Sequence, residues 1–171
     1  LYEDAKYHNA VFVGYDAQGI PRHAHKRGTY TNGDAFKGNV DSCDPRYSFH
    51  WIGQSDTVYV FEAPIDMLSF LSLYRQNWKQ HSYVALCGVA EHALMQLLTD
   101  APQVNKIALC LDHDKAGVQA RERIQKHLAE RGYKNVFSLF SNLKDWNEDL
   151  QALSKPPPEQ AEKQQQVMQM G

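Results

Sequence analysis

The sequence predicts an α/β protein in which a parallel four-stranded sheet is flanked by helices and preceded by a small antiparallel β-rich segment. Short apolar strand patterns alternate with helical patterns between residues 56 and 153, and such alternation is typical of a parallel sheet covered on both faces. Acidic residues follow two of these strands, at Glu62 and Asp112. Residues 1–55 instead contain short strand patterns separated by turn residues, which favours antiparallel hairpins.

The composition is compatible with one domain of ordinary size, or a small domain with an appendage. The chain has 171 residues and 43% hydrophobic content, enough to bury a core. Its formal net charge of −2 excludes a global basic footprint, so contact with nucleic acid would need a local basic patch. No signal peptide and no apolar run of ~18 residues is found, which predicts a cytoplasmic protein without a membrane partner.

The three cysteines, Cys43, Cys87 and Cys110, show no zinc-binding spacing. Cys87 and Cys110 lie in apolar, strand-like runs, and we expect them to be buried thiols. The chain begins with Leu1 rather than methionine, which suggests a fragment or a processed chain.

In the first 55 residues, the patterns predict a series of short elements. These are a short amphipathic helix over residues 1–8, a strand over 10–15, a hairpin turn over 16–19, a return strand over 20–30 and a last strand over 46–51, with further turns at Gly28, Gly33 and Gly38. Basic residues such as Arg27 and Arg46 are interleaved with aromatic ones. They form either a surface that grips a phosphate backbone and stacks bases, or a sheet whose aromatic residues make its own core and whose charges face water.

From residue 56 onward, strands and helices alternate. The predicted strands cover residues 58–61, 82–87, 106–111 and 135–140, and the predicted helices cover 64–77, 90–99, 115–131 and a last stretch that holds Trp146, Leu150 and Leu153. Pro64 suits a first helical position, and Gly132 is a helix stop. Residues 154–171 are polar and led by prolines, which predicts a disordered tail or a linker.

Glu62, Asp112 and Asp114 are the candidate metal ligands. Asp112 and Asp114 are two residues apart, so in an extended chain both carboxylates face the same way. The carboxyl ends of parallel strands are where an open α/β sheet binds ligands, and the three acids meet there if the first and third strands are neighbours. Converging carboxylates need a cation, and oxygen ligands select Mg²⁺ or Mn²⁺, which often serves phosphoryl transfer. The alternative is that Asp114 caps a helix and Glu62 is a surface acid.

Three neighbouring positions also leave alternatives open. Asp66 lies one helical turn beyond Glu62 and is either a ligand or a first-turn acid favoured by the helix dipole. Gly88 either lets the backbone approach a phosphate or only makes a turn. Asp145 either belongs to the site or caps the last helix.

At these residues the chain resembles the Toprim domain shared by bacterial primases, type I and II topoisomerases, overcoming-lysogenization-type nucleases and recombination proteins. Glu62 matches the family's glutamate after the first strand, and Asp112 with Asp114 matches its DxD. The small pair at 116–117 also matches, whereas Ala63 stands where glycine is usual. The resemblance covers about residues 56–153 and implies a Toprim-like Rossmann-type sheet. In its EAPID stretch, the chain is similar to a subgroup of the family from plasmids and conjugative elements.

The resemblance also implies roles for particular residues. It makes Glu62, Asp112 and Asp114 catalytic and metal-binding, whereas Asp66 is a further candidate ligand only by its position one helical turn beyond Glu62. It matches the 144–145 pair to the KD pair of primase-type domains, with Asn147 beside it. The candidates for contact with nucleic acid or phosphate are Arg27, Arg46, Gly88, Lys115 and Lys144. Asp145 and Asn147 are expected to contact the metal-binding residues without binding the metal ion themselves.

The predicted function is Mg²⁺- or Mn²⁺-dependent phosphoryl or nucleotidyl transfer on nucleic acid, most like the catalytic domain of a plasmid or mobile-element DNA primase. Expected partners are single-stranded DNA, nucleotides and other replication or conjugation proteins. The alternatives are a nuclease of the same type, a non-catalytic nucleic-acid-binding module of a relaxase or replication protein, and a receiver-like or phosphatase-like domain. Whether the chain is an enzyme therefore stays open, and no tyrosine has the setting of a topoisomerase nucleophile.

Overall fold

A computed structural model describes residues 1–30, 36–88 and 90–154 of the chain. The predicted turn at Gly33 lies outside the described residues, as does the predicted tail from residue 155 onward. The described residues form two sheets, a four-stranded antiparallel one near the N-terminus and a five-stranded one after it.

The first sheet contains four antiparallel strands in chain order. They are β1 (Tyr2–Glu3), β2 (Ala10–Tyr15), β3 (Pro21–Arg27) and β4 (Lys37–Asn39). The hairpin between β2 and β3 is confirmed: the Asp16 carboxylate accepts from the backbone N–H groups of Gln18 and Ile20, and Gly19 has a φ of 76°. The predicted helix over residues 1–8 is wrong, because Tyr2 and Glu3 pair with β2 instead.

The predicted last strand of this segment, over residues 46–51, is mostly wrong. Residues Pro45–Tyr47 form a 3₁₀-helix, begun by Asp44, whose side chain accepts from the backbone N–H of Arg46. Asp and Pro at adjacent positions favour such a turn over a strand. Only β5 (His50–Trp51) is extended, and it belongs to the second sheet.

The second sheet holds the four predicted parallel strands and one additional strand. The parallel strands are β6 (Thr57–Phe61), β7 (Ser82–Ala85), β8 (Lys106–Leu109) and β9 (Asn135–Ser138), and the order is β5-β7-β6-β8-β9. The first and third of them, β6 and β8, are neighbours as expected. The additional strand, β5, pairs antiparallel with β7 at the edge.

Four helices cover this sheet on its two faces. They are α1 (Pro64–Leu73), α2 (His92–Asp100), α3 (Lys115–Glu130) and α4 (Trp146–Ser154). Leu94 of α2 and Ile124 of α3 pack on one face together with Val60, while Phe70 of α1 and Trp146 of α4 pack on the other. Helices on both faces confirm the predicted architecture. None of the helices in the described residues combines the length and the apolar character needed to cross a membrane.

The first sheet contacts chain segments that adjoin the second sheet. A Cβ atom on Gly14 of β2 would lie 1.7 Å from the carbonyl oxygen of Tyr47, so only glycine fits at this position. On the other side of the first sheet, the Asn39 side-chain amide donates to the carbonyl oxygen of Cys87 at 3.4 Å, just beyond β7. The first sheet therefore reaches the carboxyl ends of the parallel strands.

Candidate active site

Glu62 and Asp112 line one pocket because the strands before them are neighbours. In the pairing of β6 with β8, Val60 lies opposite Leu109, so the residues beyond each strand emerge side by side. The pocket has a volume of about 340 Å³, and its lining includes Glu62, Asp66 and Asp112. Two acids that are 50 residues apart in sequence thus share one space at the carboxyl edge of the sheet.

The carboxylates of Glu62 and Asp112 each have one oxygen without a partner. Oε2 of Glu62 and Oδ1 of Asp112 are buried and accept no hydrogen bond from the described residues. Burial, followed by the charges of Asp112 and Asp114, raises the pKa of Glu62 to about 7. Burial, followed by the charges of Asp145 and Asp114, raises the pKa of Asp112 to about 6. A buried charge without a partner is costly, so both groups favour either a proton or a cation.

Asp66 is a third acid in the same pocket, in the first turn of α1. Its side chain is only 4% exposed, and its Oδ1 accepts from the backbone N–H of Asn147 at 3.3 Å. Burial first, and then the charges of Asp112 and Asp145, raises its pKa to about 7. Asp66 is therefore both an acid in the first turn of α1 and a lining residue of the pocket that contains Asp112.

Asp114 caps α3 and does not line the pocket. Its Oδ1 accepts from the backbone N–H of Gly117 at 2.8 Å, as the capping alternative expected. The chain bends at His113 and Asp114, so the two carboxylates of the DxD do not share the pocket. The charge of Asp114 still acts there, since it contributes to the raised pKa of both Glu62 and Asp112.

The first turns of α3 hold the loop that carries Asp112. A Cβ atom on Gly117 would lie 2.3 Å from the carbonyl oxygen of Asp112, so glycine permits this close packing. Further along the helix, Nη2 of Arg121 donates to the carbonyl oxygens of Leu111 at 3.0 Å and Asp112 at 3.4 Å. Sequence reasoning did not single out Arg121, because its role depends on a contact of the folded backbone.

Basic and polar residues also line the pocket. Lys144 comes from the loop before α4, whereas Arg27, Lys37 and Asn39 come from the first sheet. The charges of Lys37 and Lys144 lower the pKa of Glu62, against the stronger effect of burial. Sequence reasoning missed Lys37 and Asn39, because β4, which carries them, reaches the pocket through its pairing with β3, the strand that contains Arg27.

The other predicted residues divide into two groups. Gly88, Asp145 and Asn147 line the pocket, and Oδ1 of Asp145 also accepts from the backbone N–H of Glu148 at 2.7 Å, so it caps α4. Arg46 and Lys115 do not line the pocket. The guanidinium of Arg46 is paired with Asp44, at 2.7 Å between Nη2 and Oδ2.

The residues present fit a hard divalent cation that takes few protein ligands. Within residues 1–30, 36–88 and 90–154, no group of three or more His, Cys, Asp or Glu side chains is arranged so that it could hold a metal ion. Glu62 and Asp112, each with one buried oxygen that has no partner among the described residues, nevertheless line one pocket. Mg²⁺ commonly takes one or two carboxylates and completes its shell with water and substrate phosphate oxygens.

Two family models match the chain. One, described as Toprim-like, matches residues 59–150, and the other, described as a protein of unknown function (DUF3991), matches residues 1–55.

Two curated relatives have no described function. An uncharacterized protein of Mycoplasma pneumoniae, the MG010 homolog, is 29% identical over 100 residues, which cover 58% of this chain and 45% of that protein. An uncharacterized protein of Bacillus anthracis is 22% identical over 178 residues, which cover 91% of this chain and 51% of that protein. The chain therefore spans about half the length of these relatives.

Solved structures of primases share the fold. The primase fragment of the bacteriophage T7 primase-helicase protein has a TM-score of 0.65 at 21% identity, with 85% of this chain and 59% of that chain covered. A DNA primase domain from Pseudomonas aeruginosa has a TM-score of 0.59 at 17% identity, with 89% of this chain and 52% of that chain covered. These structural matches cover 85% and 89% of the chain, whereas the Toprim-like model covers residues 59–150. The structural similarity therefore extends beyond the parallel sheet.

Proposed function

The chain belongs to the Toprim-like family, and from this premise we propose that it carries out metal-dependent phosphoryl or nucleotidyl transfer on nucleic acid. The observation that carries the proposal is that Glu62 and Asp112, each with one buried oxygen that has no partner among the described residues, line one pocket together with Arg27, Lys37 and Lys144. Buried carboxylates with raised pKa values in a cleft are typical of functional sites.

In the proposed site, Glu62 and Asp112 hold Mg²⁺ or Mn²⁺, and Asp66 and Asp114 add negative charge nearby. The metal ion would supply charge neutralisation at the phosphate oxygens. Arg27 and Lys144, together with Lys37, would bind and orient the phosphates. Arg46 and Lys115 remain candidates for contacts further along a bound strand.

The proposed reaction is primase-like, with the 3′-hydroxyl of a nucleic acid strand as the attacking group. The fold neighbours support this choice, because they include a primase catalytic domain bound to single-stranded DNA and primase domains that interact with a DNA polymerase. We extend the proposal to single-stranded DNA, nucleotides and other replication or conjugation proteins as partners. A cytoplasmic location and a plasmid or mobile-element setting are part of the same proposal.

We also propose the predicted organisation of the chain: a β-rich segment over residues 1–55, a catalytic domain over 56–153 and a tail or linker over 154–171. The second candidate function is a nucleic-acid-binding module without chemistry of its own. It is favoured by the lack, in the described part of the chain, of three clustered ligands for a metal ion.

The test is an incubation of the whole chain with Mg²⁺ or Mn²⁺, end-labelled single-stranded DNA and all ribo- and deoxynucleotides. We expect longer products, and we expect Glu62→Gln and Asp112→Asn each to reduce the rate about 100-fold, since weaker perturbations of metal sites already cost 10 to 100-fold. Glu122→Gln, an exposed acid on α3, serves as the matched control and should leave the rate unchanged.

The products distinguish the alternatives. Shortened products that Glu62→Gln abolishes would indicate a nuclease that uses water in place of the 3′-hydroxyl. DNA binding without any metal-dependent product would support the binding module. Equal rates for the wild type and Glu62→Gln would contradict the proposed site.

A further inference from the structure

A second cavity lies on the face of the sheet that α1 and α4 cover. Its volume is about 350 Å³. Most of its wall consists of aromatic side chains, namely those of Tyr59, Phe70, Tyr74, Tyr83, Phe140 and Trp146. Of the described residues that line it, none is Lys, Arg, Asp or Glu, so its chemistry differs from that of the acidic pocket.

The rings around this cavity pack against one another in stacked, tilted and edge-on pairs. Tyr59 and Tyr83 stack with their centroids 5.4 Å apart and an interplanar angle of 15°. Phe70 and Tyr74 lie 4.7 Å apart between centroids. Tyr74 and Phe140 are 55% and 53% exposed, so these two rings stand at the mouth. Such a wall suits a flat aromatic ligand, because offset stacking and edge contacts are the favoured arrangements of aromatic rings.

Several polar groups in the cavity have no hydrogen-bond partner among the described residues. The hydroxyls of Tyr59 and Tyr83 and the side-chain amide of Gln76 make no hydrogen bond with any described residue. Burial raises the pKa of Tyr83 to about 12, so its hydroxyl stays neutral and able to donate. Nδ1 of His81 is held by the Ser55 hydroxyl at 2.8 Å, which leaves the other ring nitrogen available. Apolar walls with a few free polar groups are typical of binding sites.

The cavity and the acidic pocket share two walls. On α1, Asp66 lines the pocket and Phe70 lines the cavity, one helical turn apart or about 6 Å along the axis. At the start of α4, Asp145 and Asn147 line the pocket, while Trp146 between them lines the cavity. The cavity and the acidic pocket therefore adjoin along α1 and at the start of α4.

We propose that this aromatic cavity holds one unstacked base of a single-stranded nucleic acid whose backbone passes the acidic pocket; the choice of nucleic acid rests on the proposed function. Aromatic rings that stack on single bases are a common device for binding single strands. None of the described residues that line the cavity is a cation that could bind phosphate, so the cavity can take only the base of a ligand whose phosphates lie outside it.

The test compares two short single-stranded DNA molecules, one intact and one with abasic sites, which keeps the phosphates and removes the bases. Their dissociation constants for the whole chain are measured by fluorescence anisotropy in EDTA. We expect the intact strand to bind about tenfold more tightly, as expected for stacking of one base. Tyr74→Ala, at the mouth, should remove this advantage without changing the affinity for the abasic strand.

The double substitution Tyr59→Phe with Tyr83→Phe keeps both rings and removes the free hydroxyls. Because neither hydroxyl has a partner in the fold, this variant should fold normally and weaken the intact strand about threefold to tenfold, the value of one or two lost hydrogen bonds. Tyr133→Phe, on the opposite face of the sheet, is the matched control and should change neither dissociation constant.

Equal affinity for the two strands, or equal weakening of both by Tyr74→Ala, would overturn the inference and assign the cavity to an apolar side chain of a protein partner. The proposed function is judged separately. Base-dependent binding without any metal-dependent product would leave the inference standing and remove the proposed function, whereas product formation with equal affinity for both strands would do the reverse.

Discussion

Three carboxyl groups in one pocket, those of Glu62, Asp66 and Asp112, keep their protons to higher pH than exposed acids do, mainly because they are buried. In the unfolded chain such groups titrate near pH 4. Between about pH 4 and pH 7 the folded state therefore binds more protons than the unfolded state, and the free energy of unfolding falls as the pH rises through this window. The site costs stability at neutral pH, and a divalent cation would restore it.

Asp66→Asn isolates this effect. The asparagine keeps the acceptor for the backbone N–H of Asn147 and carries no charge. The stability of the variant should match that of the wild type below about pH 4, exceed it increasingly between about pH 4 and pH 7, and keep a constant advantage at higher pH. Thermal unfolding of both proteins in EDTA at several pH values measures the difference. Burial lowers the pKa values of His23 and His25, so these residues make both proteins more stable as the pH rises. Their contribution is the same in the wild type and the variant, and it cancels in the difference. A difference that stays constant from about pH 4 to pH 7 would contradict the raised pKa of Asp66.

At the scale of single elements, the start of α3 serves stability and the site together. Asp114 caps this helix, and its charge also acts on Glu62. We expect Asp114→Ala to lower the free energy of unfolding by about 1 kcal/mol through loss of the cap. Asp114→Asn should keep the stability, because asparagine caps equally well, but should weaken Mg²⁺ binding by removing a negative charge.

Urea unfolding and Mg²⁺ titration of the two variants separate these roles. Asp145→Asn, at the cap of α4, is the comparison for a second capping acid near the site. Unchanged Mg²⁺ affinity in Asp114→Asn would show that Asp114 only caps α3 and does not contribute to metal binding.

The elements that could be predicted are those whose patterns are local. Buried runs such as Thr57–Phe61 and the helix stop at Gly132, which has a φ of 86°, depend on their own residues and immediate neighbours. Strand ends were predicted too long, because residues such as Cys110 and Leu111 remain buried after the strand pairing has ended. The N-terminal residues were misjudged because Tyr2–Glu3 gains its pairing from β2, which the local pattern does not reveal.

The same distinction applies to the site. Glu62 and Asp112 could be found because each follows its strand directly, and parallel strands end at one edge. Lys37 could not, since its position depends on how the first sheet lies over the second. Arg46 was a reasonable candidate by composition, yet Asp44 two residues earlier provides its partner.

At the scale of the whole molecule, the pocket is a joint product of both sheets. The acids come from the second sheet and its helices, whereas Arg27 and Lys37 come from the first. If Lys37 contacts one phosphate, Lys37→Gln should weaken binding of single-stranded DNA of every sequence and reduce the slope of log affinity against log salt by about 0.7. Titrations at several salt concentrations measure this slope.

Lys126→Gln, an exposed residue on α3, is the control for a general loss of positive charge. An equal reduction of the slope in both variants would indicate diffuse attraction to the protein surface, and would remove Lys37 from the proposed phosphate contacts.

The smallest strand of the second sheet has a practical consequence. β5 (His50–Trp51) lies before the boundary that the sequence suggests at residue 55, yet it pairs with β7. A truncated protein that begins at residue 56 would lose this cover and present the backbone N–H and C=O groups of β7 to other molecules. Exposed strand edges of this kind recruit further strands, so such a fragment would be prone to aggregate for a reason unrelated to its catalytic residues. Expression of the parallel-sheet region by itself should therefore start before Ser48, whose hydroxyl donates to the carbonyl oxygen of Ala85 in β7.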